Sequence, residues 1–340
     1  MSKLPSKLFV WLAISAIILS TVSAIFVRPV AAIKARSVAK TVFTPTPPPT
    51  SVDLGTYLRV GRFDLPEPTR TNHPPNSLLA QEASAVTYDW DTDTLFVVGD
   101  GGTSVVQVSK TDGHLIDSMT LAPGPSPQGT DFYDTEGVTY VGSGKFVIVE
   151  ERDRQANLFT YVAGGILHKT DVQTVKLGTT IGNIGLEGVS YDPSTNVPGS
   201  NGFIFVKEKD PESVFQTNIN FPSGTATNGS PSTTGSTNLF DPALANLVDF
   251  SDVFALSNLP SLNGNPDYTH LLILSQESGQ IVNIDRSGNI YSTLTIVSDP
   301  GNPLSVAGQT HEGVTMDRDG NLYVVSENGG GDANHPQLWV

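Results

Sequence analysis

The chain carries two kinds of hydrophobic pattern. From Leu8 to Val27, twenty residues run without a charge, behind Lys3 and Lys7. At about 1.5 Å per residue a helix of that length reaches ~30 Å, the thickness of a bilayer core. From Tyr57 onward the apolar residues come instead in short bursts, alternating with small or polar ones and bounded by Gly, Pro, Asn and Asp. That pattern predicts short β-strands separated by turns. Five segments repeat one order: a first strand opening on an acid, a turn, then a more apolar strand ending on a polar or acidic residue. They run from Glu82 (EASAVTYD) to Asp100, from Glu136 (EGVTYV) to Glu150, and from Glu187 (EGVSYD) to Glu208. The last two run from Asp252 (DVFAL) to Gln276 and from Glu312 (EGVTMD) to Glu327. If the two end residues face each other across a hairpin, the turn lies at their midpoint. The midpoints are Asp91, Ser143, Val197–Pro198, Gly264 and Asp319–Gly320, all in turn chemistry.

Less regular third strands follow (SVVQVSKTDG, NLFTYVAGG, QIVNIDRSGN), and then fourth ones (HLIDSMTLA, DVQTVKLG, IYSTLTIV). Four antiparallel strands repeated about an axis describe a propeller blade. A blade buries its faces only against its neighbours, so the ring must close. The expected fold is all-β, a five-bladed β-propeller with six blades as the alternative, behind an N-terminal transmembrane or signal helix. The strand YLRVGRFDL (57–65) is expected to complete the last blade beside QLWV at the C-terminus.

Three regions follow: a signal or anchor segment (1–40), a Pro-rich linker (41–56) containing TPTPPPTS, and the propeller (57–340). The Pro-rich tract should be extended and semi-rigid. The leader reads either as an uncleaved anchor or as a cleaved signal peptide, with Ala24 or Ala32 as cleavage sites. Its length favours an anchor. Arg28, Lys34, Arg36 and Lys40 lie just beyond the run, so charge does not fix its orientation. The expected location is the cell membrane with the propeller facing the periplasm or exterior, or secretion if the leader is removed. The stretch 222–238 (PSGTATNGSPSTTGSTN) reads as a flexible insertion in blade three.

Composition narrows the chemistry. The 340 residues include no Cys, which excludes disulfides, thiolate metal sites and a Cys nucleophile. The first 40 residues hold six basic residues and no acid; the other 300 hold 13 basic and 34 acidic residues, a net of −21. Nucleic acid is therefore not an expected partner, while cations are attracted. No GxSxG, P-loop, HExxH or Rossmann fingerprint is present.

In a propeller the innermost strand of each blade lines the central channel. Fivefold repetition then sets Glu82, Glu136, Glu187, Asp252 and Glu312 in a ring, with Asp100, Glu150, Glu208, Gln276 and Glu327 just outside it. Carboxylates so crowded repel one another, and either protonation or a cation must relieve them. Oxygen donors without Cys, and with His only scattered, favour Ca2+, with Mg2+ possible, over zinc or copper. The blander alternative is structural: each first-ring acid accepts backbone N–H groups from the next blade. His311 reads as a core or rim residue. Glu151, Arg152, Asp153 and Arg154 read as a solvated ion-pair patch, with Lys207, Lys209 and Asp210 as its counterpart in blade three.

The series DTEGVTY…FVIVEERDR, GLEGVSYDP…FIFVKEKDP, FSDV…LLILSQESGQIVNID and HEGVTMDRDGNLYVVSEN resembles the SdiA-regulated, or YjiK-like, family of bacterial β-propellers, distantly similar to NHL-repeat propellers. The resemblance covers roughly Tyr57 to Val340. It implies a five-bladed propeller behind a membrane-spanning segment, a bound calcium ion, and no generally established enzymatic activity. Two departures from the family pattern bear on metal ligation. The family's SEPN is here Ser326-Glu327-Asn328-Gly329, and Gln276 stands where an acid is common. Two functions follow as expectations. One is a membrane-tethered, calcium-binding, non-enzymatic envelope module with an unidentified protein or small-molecule partner. The other is a metal-dependent hydrolase of phytase-like or lactonase-like propeller type.

Overall fold

Alternating apolar residues in each repeat pair as antiparallel strands, and the sheets they form are the blades. The computed structural model describes residues 47–66, 79–297, 306–328 and 335–340. The expected leader helix (1–40) lies outside the described residues. Among the described residues no helix is long and apolar enough to cross a membrane.

A short strand, β1 (Arg62–Asp64), precedes blade 1, which is β2 (Ala83–Asp89), β3 (Thr94–Gly99), β4 (Ser104–Val108) and β5 (Leu115–Leu121). Blade 2 is β6 (Thr135–Gly142), β7 (Lys145–Glu150) and β8 (Gln155–Thr160), then, after β9 (Ile166–Leu167), β10 (Gln173–Lys176). Strand β9 runs parallel to β5 and adds a fifth strand to blade 1. Blade 3 is β11 (Val189–Tyr191), β12 (Asn201–Lys207), β13 (Ser213–Asn220) and β14 (Thr225–Ala226). Blade 4 is β15 (Asp252–Ala255), β16 (Leu271–Ser275), β17 (Gln280–Ile284) and β18 (Ile290–Thr295). Blade 5 is β19 (His311–Met316), β20 (Leu322–Ser326) and β21 (Gln337–Trp339), completed by β1 in the order β19-β20-β21-β1. Among the described residues there are five sheets, not six. Phe63 faces Leu338 and Asp64 faces Gln337, so the two ends of the propeller share one blade, as the sequence predicts.

Five apolar clusters fill the five gaps between blades. Blades 1 and 2, for example, meet through Phe96, Val98, Val138, Tyr140, Phe146 and Ile148. Blades 5 and 1 meet through Val86, Val97, Val106, Tyr323 and Leu338. Each cluster draws on two sheets, which is why no blade stands alone. Val52 and Leu54, at the end of the stretch read as a linker, are buried in the cluster between blades 4 and 5. The Val52 carbonyl accepts from Asn283 Nδ2 at 2.7 Å, and its N–H donates to Asp267 at 2.8 Å.

The innermost strands are stapled to one another by side chains. Thr87 Oγ1 accepts the Tyr140 N–H at 3.0 Å, Thr139 Oγ1 that of Tyr191 at 2.8 Å, and Ser190 Oγ that of Ala255 at 2.9 Å. Blade 4 has Phe254 at the corresponding place and offers no hydroxyl. Asp252 supplies the acceptor instead. Its carboxylate takes the N–H of Val314 in blade 5 and of Val253, each at 2.8 Å, and that of Val189 in blade 3.

The Gly/Ser/Thr stretch 222–238, expected to be flexible, is tied down. Thr179 N–H donates to the Thr233 carbonyl at 2.9 Å, Arg154 Nη1 to the Thr234 carbonyl at 2.9 Å, and Asn228 Nδ2 to Gln216 at 3.0 Å. It straps blade 3 onto the outer edge of blade 2. Its small polar side chains bond to backbone in place of a β-ladder.

Candidate metal centre at the channel mouth

Strand register decides which residues reach the axis. Across the first hairpin of each blade Ala85 faces Val98, Gly137 faces Val149, Asp252 faces Leu274 and Gly313 faces Val325. Gly188 and Val206 are bonded the same way. One residue before each of these first-strand positions comes Ser84, Glu136, Glu187, Ser251 or Glu312, and all five line one cavity. Two residues after each second-strand position comes Asp100, Glu151, Glu208, Gln276 or Glu327, and these line it too. The cavity has a volume of about 360 Å³, and Asn183, Lys209 and Glu277 complete its wall. Bulges at Ser84, Glu136 and Glu312 set these side chains apart from the regular pairing.

Six of the nine acids expected as ligands therefore meet at the mouth: Glu136, Glu187, Glu312, Asp100, Glu208 and Glu327. The other three do not take the expected places. Glu82 lies two residues before the ring position, which Ser84 occupies; its carboxyl reaches Asp100 from the side. Asp252 lies one residue beyond the ring position, which Ser251 occupies, and serves as the backbone staple described above. Glu150 points into blade 2, not the channel. It accepts from Tyr133 N–H at 2.8 Å, from Gln155 Nε2 at 2.6 Å and from Asn157 Nδ2 at 2.8 Å, and it pairs with Lys169. Glu151 takes its place at the mouth.

Sequence reasoning also missed Asp134. This residue sits two before Glu136 with a left-handed backbone, as Glu82 does before Ser84. A carboxylate oxygen from each of Asp100, Asp134 and Glu136 lies within 4.8 Å of the others, the spacing of ligands around one ion. Asp134 is buried and oriented by Arg152 Nε and by Gln128 Nε2 at 3.1 Å. The expected solvated patch at 151–154 is likewise not solvated, for Glu151 and Arg154 are buried. Aligning the repeats on Ala85-Val86-Thr87, Gly137-Val138-Thr139 and Gly188-Val189-Ser190, rather than on the acids, yields the observed register.

The electrostatics follow from crowding in a confined space. Burial, then the charges of Asp100 and Asp134, push the Glu136 carboxyl well above the usual range, against a hydrogen bond from Ser84. Burial and the neighbouring acids do the same to Glu187 and Glu312. Asp100 is pushed up to about 7, by burial first and then by Glu82 and Asp134. Glu151 is pushed up to about 7 by burial, against an N–H bond from Gly185. Asp100 Oδ1 is buried with no hydrogen-bond partner; Glu151 Oε2 has none either, but it stands 4.0 Å from Arg152 Nε. Unpartnered carboxylate oxygens turned into an acidic cavity are what a hard cation satisfies.

At the far end of the channel Trp90 lies across the axis. Its ring meets Tyr140 of blade 2 at 4.4 Å, Tyr191 of blade 3 at 6.4 Å and the Arg318 guanidinium of blade 5 at 5.5 Å. Opposite the mouth, these contacts bring blades 1, 2, 3 and 5 together around the Trp90 ring. His311 is fully buried against Trp339, ring centroids 4.8 Å apart, and burial lowers its pKa to about 4.

Fold and site together define a five-bladed propeller with a carboxylate-lined mouth. The family model for SdiA-regulated proteins matches residues 70–329, and the chain belongs to that family. Among solved structures it is similar to a glutaminyl cyclase of Myxococcus xanthus, at 9% identity over 83% of this chain and 94% of that one, with a TM-score of 0.41. It is also similar to a virginiamycin B lyase of Staphylococcus aureus, at 13% identity over 78% of this chain and 66% of that one, with a TM-score of 0.32. A streptogramin B lyase matches at 10% identity over 82% and 96%, with a TM-score of 0.36. At such identities and TM-scores these likenesses carry no chemistry over to this chain.

Proposed function

We propose that this protein is a calcium-binding propeller of the cell envelope, acting through a cation at the channel mouth as a non-enzymatic interaction or cation-responsive module. The observation that carries the reading is the convergence of Asp100, Asp134 and Glu136, with Asp100 Oδ1 unpartnered and buried. The donor set is all oxygen, which suits Ca2+ and, with more of its waters retained, Mg2+. A bound ion would supply the positive charge that lets these acids ionise side by side. Ser84 and Gln128 would hold Glu136 and Asp134 in place. Export rests on the uncharged run 8–27 and its basic flanks.

Lys209 in the cavity wall favours a second reading, since a cation beside a metal site is what an anionic substrate of a hydrolase needs. Calorimetric titration of the full chain with Ca2+ tests the first reading: the tightest binding step should be lost in Glu136→Gln and in Asp100→Asn. Turnover of a phosphomonoester, a lactone or an ester, dependent on Ca2+ and abolished by Glu136→Gln, would establish the hydrolase instead.

A further inference from the structure

The five junctions between blades repeat one arrangement at the mouth. Each offers the residue ending the second strand of one blade, and two residues, two places apart, opening the next. At the junction of blades 1 and 2 these are Asp100, Asp134 and Glu136, all acids. By the same register the junction of blades 3 and 4 offers Glu208, Asp249 and Ser251. The missing third carboxylate comes there from Glu277. An oxygen from each of Glu208, Asp249 and Glu277 lies within 4.8 Å of the others.

Asp249 marks this cluster as more than a patch of surface acid. It is 1% exposed, and its Oδ2 is buried without a hydrogen-bond partner. Its Oδ1 is fixed by the Ser275 hydroxyl and by the Glu277 N–H at 3.1 Å. Burying a carboxylate with one oxygen unsatisfied is costly unless positive charge is supplied. Lys209 is the cation at hand, but it pairs with Glu208 Oε1 and is itself about half exposed.

We propose a second divalent-cation site at the junction of blades 3 and 4, with Glu208, Asp249 and Glu277 as its carboxylate ligands and Lys209 as a tethered ammonium that the ion displaces. The site is related to the first by the rotation of the propeller. It deepens the cation-binding reading but uses none of the same ligands. The built-in lysine makes it the weaker site, so it fills at higher Ca2+ than the first.

The test is equilibrium dialysis of the full chain against radiolabelled Ca2+. The wild type should bind two ions. Asp249→Asn should bind one, with the tighter affinity unchanged. Glu277→Gln, at an exposed position that folding tolerates, should weaken only the looser step. Lys209→Met should tighten that step by roughly threefold, the worth of removing one competing exposed ion pair. Glu136→Gln should remove the other ion. Wild-type stoichiometry in both Asp249→Asn and Glu277→Gln overturns the second site. One ion in the wild type, lost only with Glu136→Gln, overturns it and leaves the first standing. No binding at all overturns both.

Discussion

Removing cations and raising the pH should loosen this propeller. Asp100 and Glu151 carry folded-state pKa values of about 7, against 3.8 and 4.5 for the free groups. A carboxyl whose folded pKa is raised holds its proton more tightly in the folded state. Its favourable contribution is therefore complete below about pH 4 and is lost as pH rises through 7. Between pH 6 and 8 each group is on average half-protonated in the folded chain and fully ionised in the unfolded one. That is about one pK unit of stability each, or about 1.4 kcal/mol. Water in the open mouth screens part of it, leaving roughly 2 kcal/mol for the pair. For a propeller of about 280 residues that is a fall in melting temperature of roughly 3–4 °C. His311, held near pKa 4, works in the opposite direction but only below pH 6.5. A cation present at a hundred times its Kd adds about 2.7 kcal/mol at pH 8 and cancels the fall. At pH 6 protons compete for the same oxygens and the gain should shrink. Scanning calorimetry of the full chain in chelator and in Ca2+, at pH 6 and 8, measures all four values. A chelated protein at least as stable at pH 8 as at pH 6, with no Ca2+ gain at pH 8, refutes the reasoning.

Four substitutions probe the register that places the site. Glu150→Gln should lower stability by about 2 kcal/mol in urea, since Lys169 loses its buried partner, and leave Ca2+ affinity unchanged; Glu151→Gln should do the reverse, shifting affinity and sparing the fold. Asp252→Ala orphans the N–H groups of Val253, Val314 and Val189, and should cost about 3 kcal/mol; a loss under 1 kcal/mol in the same denaturation would contradict its role as a staple. Gly188→Ala puts a methyl 2.5 Å from the Asp252 Cα and 2.4 Å from its Oδ1, so the variant should be recovered mostly as unfolded protein, visible as lost near-ultraviolet dichroism.

The blades, the closing strand and the turns were legible because each rests on a local rule: alternation, turn residues, the need for a ring to close. The site was legible only to within one or two residues, and a strand turns its side chain over with each step. Acids were the visible marks, yet they sit at several different places in the repeat. Glu82 falls on the left-handed residue before β2, Glu136 on the bulge of β6, and Asp252 on the first regular pair of β15. The physical anchor is the residue that must pack or bond across the gap between blades. Thr87, Thr139 and Ser190 are that anchor, since each holds the next blade by its hydroxyl. Counting three residues back from them gives Ser84, Glu136 and Glu187, the observed ring. Blade 4 has Phe254 there instead, so nothing in its own segment announces the register. Asp252 bridges the neighbouring blades by a different bond: it accepts from Val314, two residues short of Met316, whose N–H a threonine at the Phe254 position would take. Ser251 stands at the mouth, and Glu277 lies beside Asp249. The irregular blade is thus where an acid bonds across to its neighbours rather than facing the channel, and where Glu208, Asp249 and Glu277 gather beside the mouth.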